Sequence, residues 1–212
     1  MNRKRIVVAV TGASGAVYAR RLLQVLSRGG VEIHFVVSTY GRRLFHDELG
    51  IEDPTPEALV GADCAAAVHA HRYRDMGDVL ASGSFLTDAM IVCPCSSNTL
   101  GDVAAGTGAN LISRAAAVHL KEARRLIVVP REMPVSQIEL ENMLRISRAG
   151  GIVCPASPGF YLLPDTVDDL VDFVVGKLCD LVGVSHELQT RWMPGSLGTD
   201  SAAGSENPAR DH

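Results

Sequence analysis

The sequence predicts a three-layer α/β domain, with helices on both sides of an open parallel sheet. Three observations carry that expectation. Short continuous apolar runs recur, as in Ile6-Val7-Val8-Ala9-Val10 and Leu126-Ile127-Val128-Val129, the form taken by parallel strands buried on both faces. Segments with helical spacing of apolar residues lie between them. Glycine, proline or small polar residues stand at the strand ends, where turns are made. Hydrophobic residues make up 47% of the 212 residues and aromatics only 5%, so the core of this single domain is expected to be aliphatic. The domain is expected to cover residues 1–194. The Gly-, Ser- and Ala-rich stretch 195–212 has the composition of a disordered tail.

The first strand, Ile6–Val10, runs into Thr11-Gly12-Ala13-Ser14-Gly15-Ala16. A helix follows through Arg20, Leu22, Leu23 and Leu26 and stops at Gly29-Gly30. A strand, a glycine turn and a helix N-terminus turn free amides and the helix dipole toward an anion. Ser14 adds a hydroxyl that the turn itself does not need, which favours phosphate binding over an empty turn. The second strand, Glu32–Val37, ends in Ser38-Thr39-Tyr40. A dinucleotide site calls for a third glycine and a carboxylate at the end of that strand. Both are missing, so NAD is disfavoured. A mononucleotide, whose phosphate and polyol can use hydroxyls such as Ser14 and Ser38, fits better.

Arg42 to Leu49 reads as a helix ending at Gly50, and Glu57 to His69 as another after Pro54 and Pro56. Glu48 reads as a helix-surface acid. His46, His69 and His71 lack metal-ligand spacing and read as solvated or core side chains. Ala81-Ser82-Gly83-Ser84 suits close approach of backbone to a ligand or a neighbouring subunit, or a plain connector. The strand Asp88–Cys93 is expected to stop at Pro94. Ser96, Ser97, Asn98 and Thr99 then open a helix, and four polar residues exceed what one N-cap requires, so some are expected to bind a ligand. A helix pair reaches Lys121 with a break near Gly106-Thr107-Gly108. Lys121 complements the helix dipole there and is expected to lean over the strand ends.

The strand Arg125–Val129 delivers Pro130-Arg131-Glu132-Met133-Pro134. Two prolines fix the backbone on either side of a cation and a carboxylate, a restraint that a solvent loop does not need. Strand ends of an open α/β sheet meet in one crevice, so this pair is expected to work there, Arg131 pairing with Glu132. Ser136 and Glu139 form a capping box for the helix Gln137–Ser147. Ile152–Cys154 is a short last strand, Pro158-Gly159-Phe160-Tyr161 follows, and Thr166–Val182 is the closing helix. Asp168-Asp169-Leu170-Val171-Asp172 fits the DDxxD pattern of magnesium-dependent prenyl-diphosphate enzymes, but those are all-helical. Acids in a first helical turn are favoured by the dipole without a metal.

A formal charge of −4 and a pI near 6.0 argue against a nucleic-acid binder with a broad basic face. No apolar run approaches the roughly 18 residues of a membrane helix, and no signal h-region follows Arg3-Lys4-Arg5, so a cytoplasmic location is expected. Five cysteines are an odd count, and Cys93-Pro94-Cys95 is neither CxxC nor a zinc knuckle. No metal is expected.

Taken together, TGASGA at Thr11–Ala16, Ser38, ASGS at Ala81–Ser84, CPCSSNT at Cys93–Thr99, LKE at Leu120–Glu122, VPRE at Val129–Glu132, ENML at Glu141–Leu144, PGFY at Pro158–Tyr161, VDDLVDFVVGK at Val167–Lys177 and RW at Arg191–Trp192 resemble the UbiX/Pad flavin prenyltransferase family. The resemblance runs from about Arg5 to Trp192. It implies a flavodoxin-like/Rossmann-like fold and an enzyme that joins a dimethylallyl group from dimethylallyl phosphate to N5 and C6 of reduced FMN, without metal. The prenylated FMN would serve a UbiD-type decarboxylase. By the family's pattern, Gly12, Ala13, Ser14, Ser38, Ser96, Ser97, Asn98, Thr99 and Arg131 are the FMN contacts. Lys121, Arg131, Glu132, Tyr161 and Lys177 are the catalytic set, and Lys121, Arg131, Tyr161, Lys177 and Trp192 face the prenyl phosphate. Relatives form trimers that assemble into dodecamers with sites between subunits, so a homododecamer is implied. Met76 stands where some relatives carry tryptophan, and Lys177 where some carry arginine.

Two alternatives share the fold: an FMN-dependent cysteine decarboxylase, which needs a histidine base near the flavin, and a non-catalytic flavin carrier subunit of a decarboxylase. The PRE and PGFY stretches favour the prenyl side over the first, and the presence of Glu132 and Lys121 argues against the second. A short-chain dehydrogenase, suggested by TGASG alone, lacks YxxxK.

Overall fold

The chain is described by a computed structural model over residues 3–190. Trp192 and the expected tail at 195–212 lie outside the described residues. The five apolar runs become strands, and a sixth strand joins them: β1 (Arg5–Val10), β2 (Glu32–Val37), β3 (Val68–His71), β4 (Ala89–Cys95), β5 (Arg125–Pro130) and β6 (Ile152–Val153). They form one sheet in the order β3-β2-β1-β4-β5-β6, with every pairing parallel. The chain builds outward from β1 to β3, then restarts at β4 on the other flank of β1. That reversal is the switch point at which doubly wound sheets open a crevice beyond the strand C-termini.

Side chains alternate across each strand, so the sheet has two apolar faces. On one, Ile6, Val8, Val10, Ile33 and Phe35 pack with α1 (Ala16–Arg28) and α8 (Val167–Leu181). On the other, Val7, Ala9, Val36, Met90 and Val92 meet α5 (Ser97–Ala105) and α6 (Leu111–Lys121). Phe45 of α2 (Thr39–Leu49) is wholly buried. Truncation of such a side chain to alanine costs about 3–5 kcal/mol. At the rim, α7 (Gln137–Arg148) buries only Ile146, and its capping box from Ser136 and Glu139 is formed.

Three expectations are corrected. The helix read over Glu57–His69 is two short helices, α3 (Pro56–Val60) and α4 (Ala62–Ala65), followed by β3. Gly61, at φ 84, breaks the run, and the backbone of Val68–His71 pairs with β2 in place of a third helical turn. Strand β4 passes through Pro94 to Cys95. A register shift between Val92 and Cys95 lets the proline, which has no N–H, stand in a bulge. Helix α2 begins earlier than read, because the Ser38 hydroxyl caps it by accepting from the Gly41 amide.

Two of the three acids of the DDxxD pattern are in structural use. Asp169 closes the capping box with Thr166, and Asp172 takes a forked pair of bonds from Arg21 at 2.6 and 2.9 Å. Among the described residues, no cluster could hold a metal ion, and no helix is long and apolar enough to cross a membrane. Cys93 and Cys95 are buried. Burial pushes both thiols up, Cys95 to about 12, so neither is a ready thiolate nucleophile.

Candidate functional site

The loops after β1 and β4 flank the switch point and are tied together there. The Thr11 hydroxyl donates to the Pro94 carbonyl at 3.0 Å and accepts from the Ser96 amide at 2.8 Å. Gly12 belongs where it stands, because a Cβ there would lie 2.6 Å from Tyr40 Cβ. Its absence lets the β1 loop close against the start of α2. Ser14 is exposed beside buried Ala13, so the serine hydroxyl faces outward while the alanine packs inward.

The N-terminus of α1 holds a residue that sequence reasoning missed. Its N-cap, Gly15, has no side chain to satisfy the first amides. Glu48, reaching over from α2, accepts from Gly15 N at 3.0 Å and from Ala16 N at 2.8 Å. The helix end therefore does draw an anion, as the motif predicts, but the anion here is the chain's own carboxylate. Glu48 is a capping acid rather than a plain surface one. The clue lay in the sequence: a glycine N-cap leaves orphan amides that some other acceptor must fill.

Ser96 caps α5 and donates to Thr99 Oγ1 at 3.1 Å, so two of the four polar residues partly serve the cap. Ser97 turns the other way, its hydroxyl lying 3.3 Å from Glu132 Oε2 and in a short contact with Glu139. Asn98 is exposed. Across the crevice, Arg131 Nε donates to the Ser14 carbonyl at 3.2 Å. Glu132 also accepts from the Met133 amide at 3.2 Å. The expected Arg131–Glu132 pair is not formed: the guanidinium turns to the β1 loop and the carboxylate to the β4 loop.

Beyond β6, the Tyr161 ring packs edge-on against Phe173 of α8, centroids 5.6 Å apart. Lys177 is one turn further along the same helix face and is exposed. Its charge reaches Cys154, where it opposes the upward push of burial on that thiol. Phe173 thus stands between Tyr161, packed on its ring, and Lys177, one turn on.

Lys121 does not join them, and here the expectation is corrected. It ends α6, ahead of β5, so it lies at the edge where strands begin. Six residues of β5 span about 20 Å between it and Arg131. Its ammonium pairs with Glu122 at 2.7 Å, and a Cβ on Gly83 would come within 3.1 Å of it. The Ala81–Ser84 loop is held to this edge by Arg114 Nε on the Ala81 carbonyl at 3.0 Å and by Arg124 on the Gly83 and Phe85 carbonyls.

These donors fit a flavin mononucleotide. The crevice offers an exposed hydroxyl at Ser14, a carboxamide at Asn98 and a guanidinium at Arg131 of which, among the described residues, only Nε is engaged. No carboxylate waits after β2 for a second ribose. Comparison with known proteins defines the class first: residues 1–179 match the family described as Flavoprotein. A flavin prenyltransferase UbiX of Halalkalibacterium halodurans is 47% identical over 188 residues, covering 87% of this chain and 91% of that one. The crystal structure of AnUbiX in complex with FMN and dimethylallyl pyrophosphate has a TM-score of 0.82 and 39% identity, over 91% of this chain and all of that one. A dodecameric FMN-dependent UbiX-like decarboxylase from Escherichia coli O157:H7 has a TM-score of 0.80 and 42% identity, over 89% of this chain and 99% of that one. The chain belongs to the UbiX family of flavin prenyltransferases.

Proposed function

We propose that this prenyltransferase joins a dimethylallyl group from dimethylallyl phosphate to N5 and C6 of reduced FMN, in sites completed between copies of the chain. One observation carries the assignment of roles: Glu132 is held at the end of β5 by Ser97 and by the Met133 amide, with no cation paired to it among the described residues. A carboxylate positioned by neutral donors keeps its capacity to accept a proton. Reduced FMN supplies the nucleophilic nitrogen and ring carbon, and phosphate is the leaving group.

The roles of the side chains follow. Gly12, Ala13, Ser14, Ser38, Ser96, Ser97, Asn98, Thr99 and Arg131 line the β1, β2, β4 and β5 ends and would hold the flavin. Glu132 would take the N5 proton as the first C–N bond forms and assist closure at C6. Lys121, Arg131, Lys177 and the Tyr161 hydroxyl would bind the departing phosphate by charge-assisted bonds, stabilising negative charge as the C–O bond breaks. No histidine stands in the loops after β1, β4, β5 or β6, so a cysteine decarboxylase would lack its base there.

A site needing both Arg131 and Lys121 must draw on two copies, since one copy holds them at opposite edges of the sheet. Exposed apolar side chains beside the crevice favour the same reading: Met133 is 87% exposed, Ile138 72% and Phe160 67%. Patches of this kind mark association surfaces, and the dodecameric relative supplies the assembly proposed here. The prenylated flavin would pass to a UbiD-type decarboxylase in the cytoplasm, from a catalytic domain spanning residues 1–194.

The test is anaerobic incubation with reduced FMN and dimethylallyl phosphate, followed by mass measurement of the flavin released on denaturation. A flavin heavier by one five-carbon unit, absent with Glu132→Ala, is the expected result. Unmodified FMN recovered with either the mono- or the diphosphate donor would overturn the proposal.

A further inference from the structure

The β3–β4 connection crosses one face of the sheet with only a single 3-10 turn, Val79–Ala81, in place of a helix. What fastens it is a row of ionisable side chains. Asp78 Oδ2 lies 2.6 Å from His71 Nδ1, His71 Nε2 lies 2.8 Å from His34 Nδ1, and His34 Nε2 lies 3.0 Å from Glu32 Oε1. Arg5 Nε closes the row at 2.7 Å from the same Glu32 oxygen. His34 is only 5% exposed, and the His71 and Asp78 side chains are 12% and 15% exposed.

Proton counting fixes the charge of this row. Three hydrogen bonds link two imidazoles with a carboxylate at each end, and each bond needs one proton. Two neutral rings supply only two. One link would then be empty: either two nitrogen lone pairs would face each other at 2.8 Å, or a ring lone pair would face a carboxylate. The third proton rests on a ring, because imidazole is far more basic than carboxylate. The pair then donates outward at both ends, from His71 Nδ1 to Asp78 and from His34 Nε2 to Glu32, with one further proton between His71 Nε2 and His34 Nδ1. Charges then alternate from Arg5 through Glu32 and the ring pair to Asp78 and sum to zero, as a largely buried row requires.

We propose that His34 and His71 share one extra proton, and that this protonated pair is a positioning device that pins Asp78 and, through it, the Ala81–Ser84 loop beside Lys121. Asp78 joins the two, since its other oxygen accepts from the Leu80 amide at the start of the 3-10 turn. The groups facing the pair are Arg5, Glu32 and Asp78, with His69 stacked on His34 at 5.3 Å and Phe85 edge-on at 5.0 Å. Loss of the third proton removes one link and loosens the loop at its Asp78 end, while Arg114 and Arg124 still hold its carbonyls, so prenyl transfer falls on the alkaline side. That last step rests on the proposed role of Lys121; the proton count does not.

The test is a count of ring protons by long-range nitrogen–proton NMR on histidine-labelled protein at neutral pH. Three ring N–H groups shared by His34 and His71 are expected, and two would overturn the proposal. Asp78→Asn is the informative variant, because its amide donates to His71 Nδ1 and lets two neutral rings satisfy all three links. It should lose one ring proton at neutral pH and keep its fold, and retention of three would refute the role of Asp78. In the parent, hydrogen exchange at Ser82–Phe85 should accelerate, and transfer activity should fall, at the pH where the third proton leaves. In the variant both pH steps should vanish. Steps unchanged in Asp78→Asn would defeat the positioning role. A parent with no prenyl transfer at any pH would defeat the proposed function alone, and NMR with hydrogen exchange would still decide this proposal.

Discussion

Where β5 ends, Arg131 and Glu132 are neighbours in sequence, yet each is held by a neutral dipole: a carbonyl for one, a hydroxyl and an amide for the other. At the opposite edge two charges meet counter-charges, Lys121 with Glu122 and Arg5 with Glu32, while Arg114 and Arg124 tie down loop carbonyls. Across the face between, His71 meets Asp78. The contrast teaches how to tell a working charge from a structural one. A charge neutralised by its neighbour has little left for a ligand. A charge positioned by dipoles keeps most of its field and its proton capacity available. Lys121 is the exception, proposed to serve a second copy's site: its pairing with Glu122 is exposed and so worth little, and an arriving phosphate can displace it.

The largest expected effect tests whether the two edges work together. Lys121→Ala and Glu132→Ala should each be nearly inactive alone. Dissociated, mixed in equal amounts and reassembled, they should regain activity, with about one site in four intact in a random symmetric assembly. Measuring prenylated flavin after mixing decides it, and a mixture as inactive as its parts would place both residues in one copy's site.

Within the crevice edge, Glu132→Gln keeps the size and the Ser97 contact while removing the base. Prenyl transfer should fall about 10²- to 10⁴-fold, the usual worth of a positioned general base, with FMN affinity little changed. Single-turnover kinetics beside a flavin-fluorescence titration separate the two. Equal losses in both would make Glu132 a binding group.

The sheet was legible in the sequence because buried parallel strands are uniformly apolar and bounded by punctuation. β1, β2, β5 and β6 fall within a residue or two of their expected ends. β3 was not legible, because Val68-His69-Ala70-His71 has no apolar run and becomes a strand only by pairing with β2. The crevice residues were readable from strand-end chemistry, Arg131 and Glu132 above all. What sequence order hides is distance: Lys121 lies ten residues before Arg131 in the chain and a full strand away in space. Glu48 and the His34–His71 row were hidden for the same reason, since each depends on a contact between separate elements.

Glu48→Ala probes the helix end at which the chain supplies its own anion. Losing the bonds to Gly15 and Ala16 should cost about 1 kcal/mol, the typical worth of a helix cap, read as a lower urea midpoint. An unchanged midpoint would mean that water or another acceptor satisfies those amides equally well.

The smallest effect belongs to the structural edge and is a matter of sign. The hydrogen bond from Arg5 holds the Glu32 carboxyl well below its ordinary value, at about 2, with burial opposing and His34 assisting. A group with a depressed folded value binds its proton less readily in the native state than in the unfolded one. Its contribution is therefore fully present above the ordinary value of about 4.5 and is lost as pH falls toward about 2. Urea midpoints measured across that window should decline in the parent more steeply than in Glu32→Gln, which has no proton to gain. Because Glu32 is partly exposed the difference should be modest, and salt should change it little, since the two groups are in direct contact. A variant that declined as steeply as the parent would show that other carboxylates govern the acid limb, and that the counter-charges of this edge are matched by geometry more than by energy.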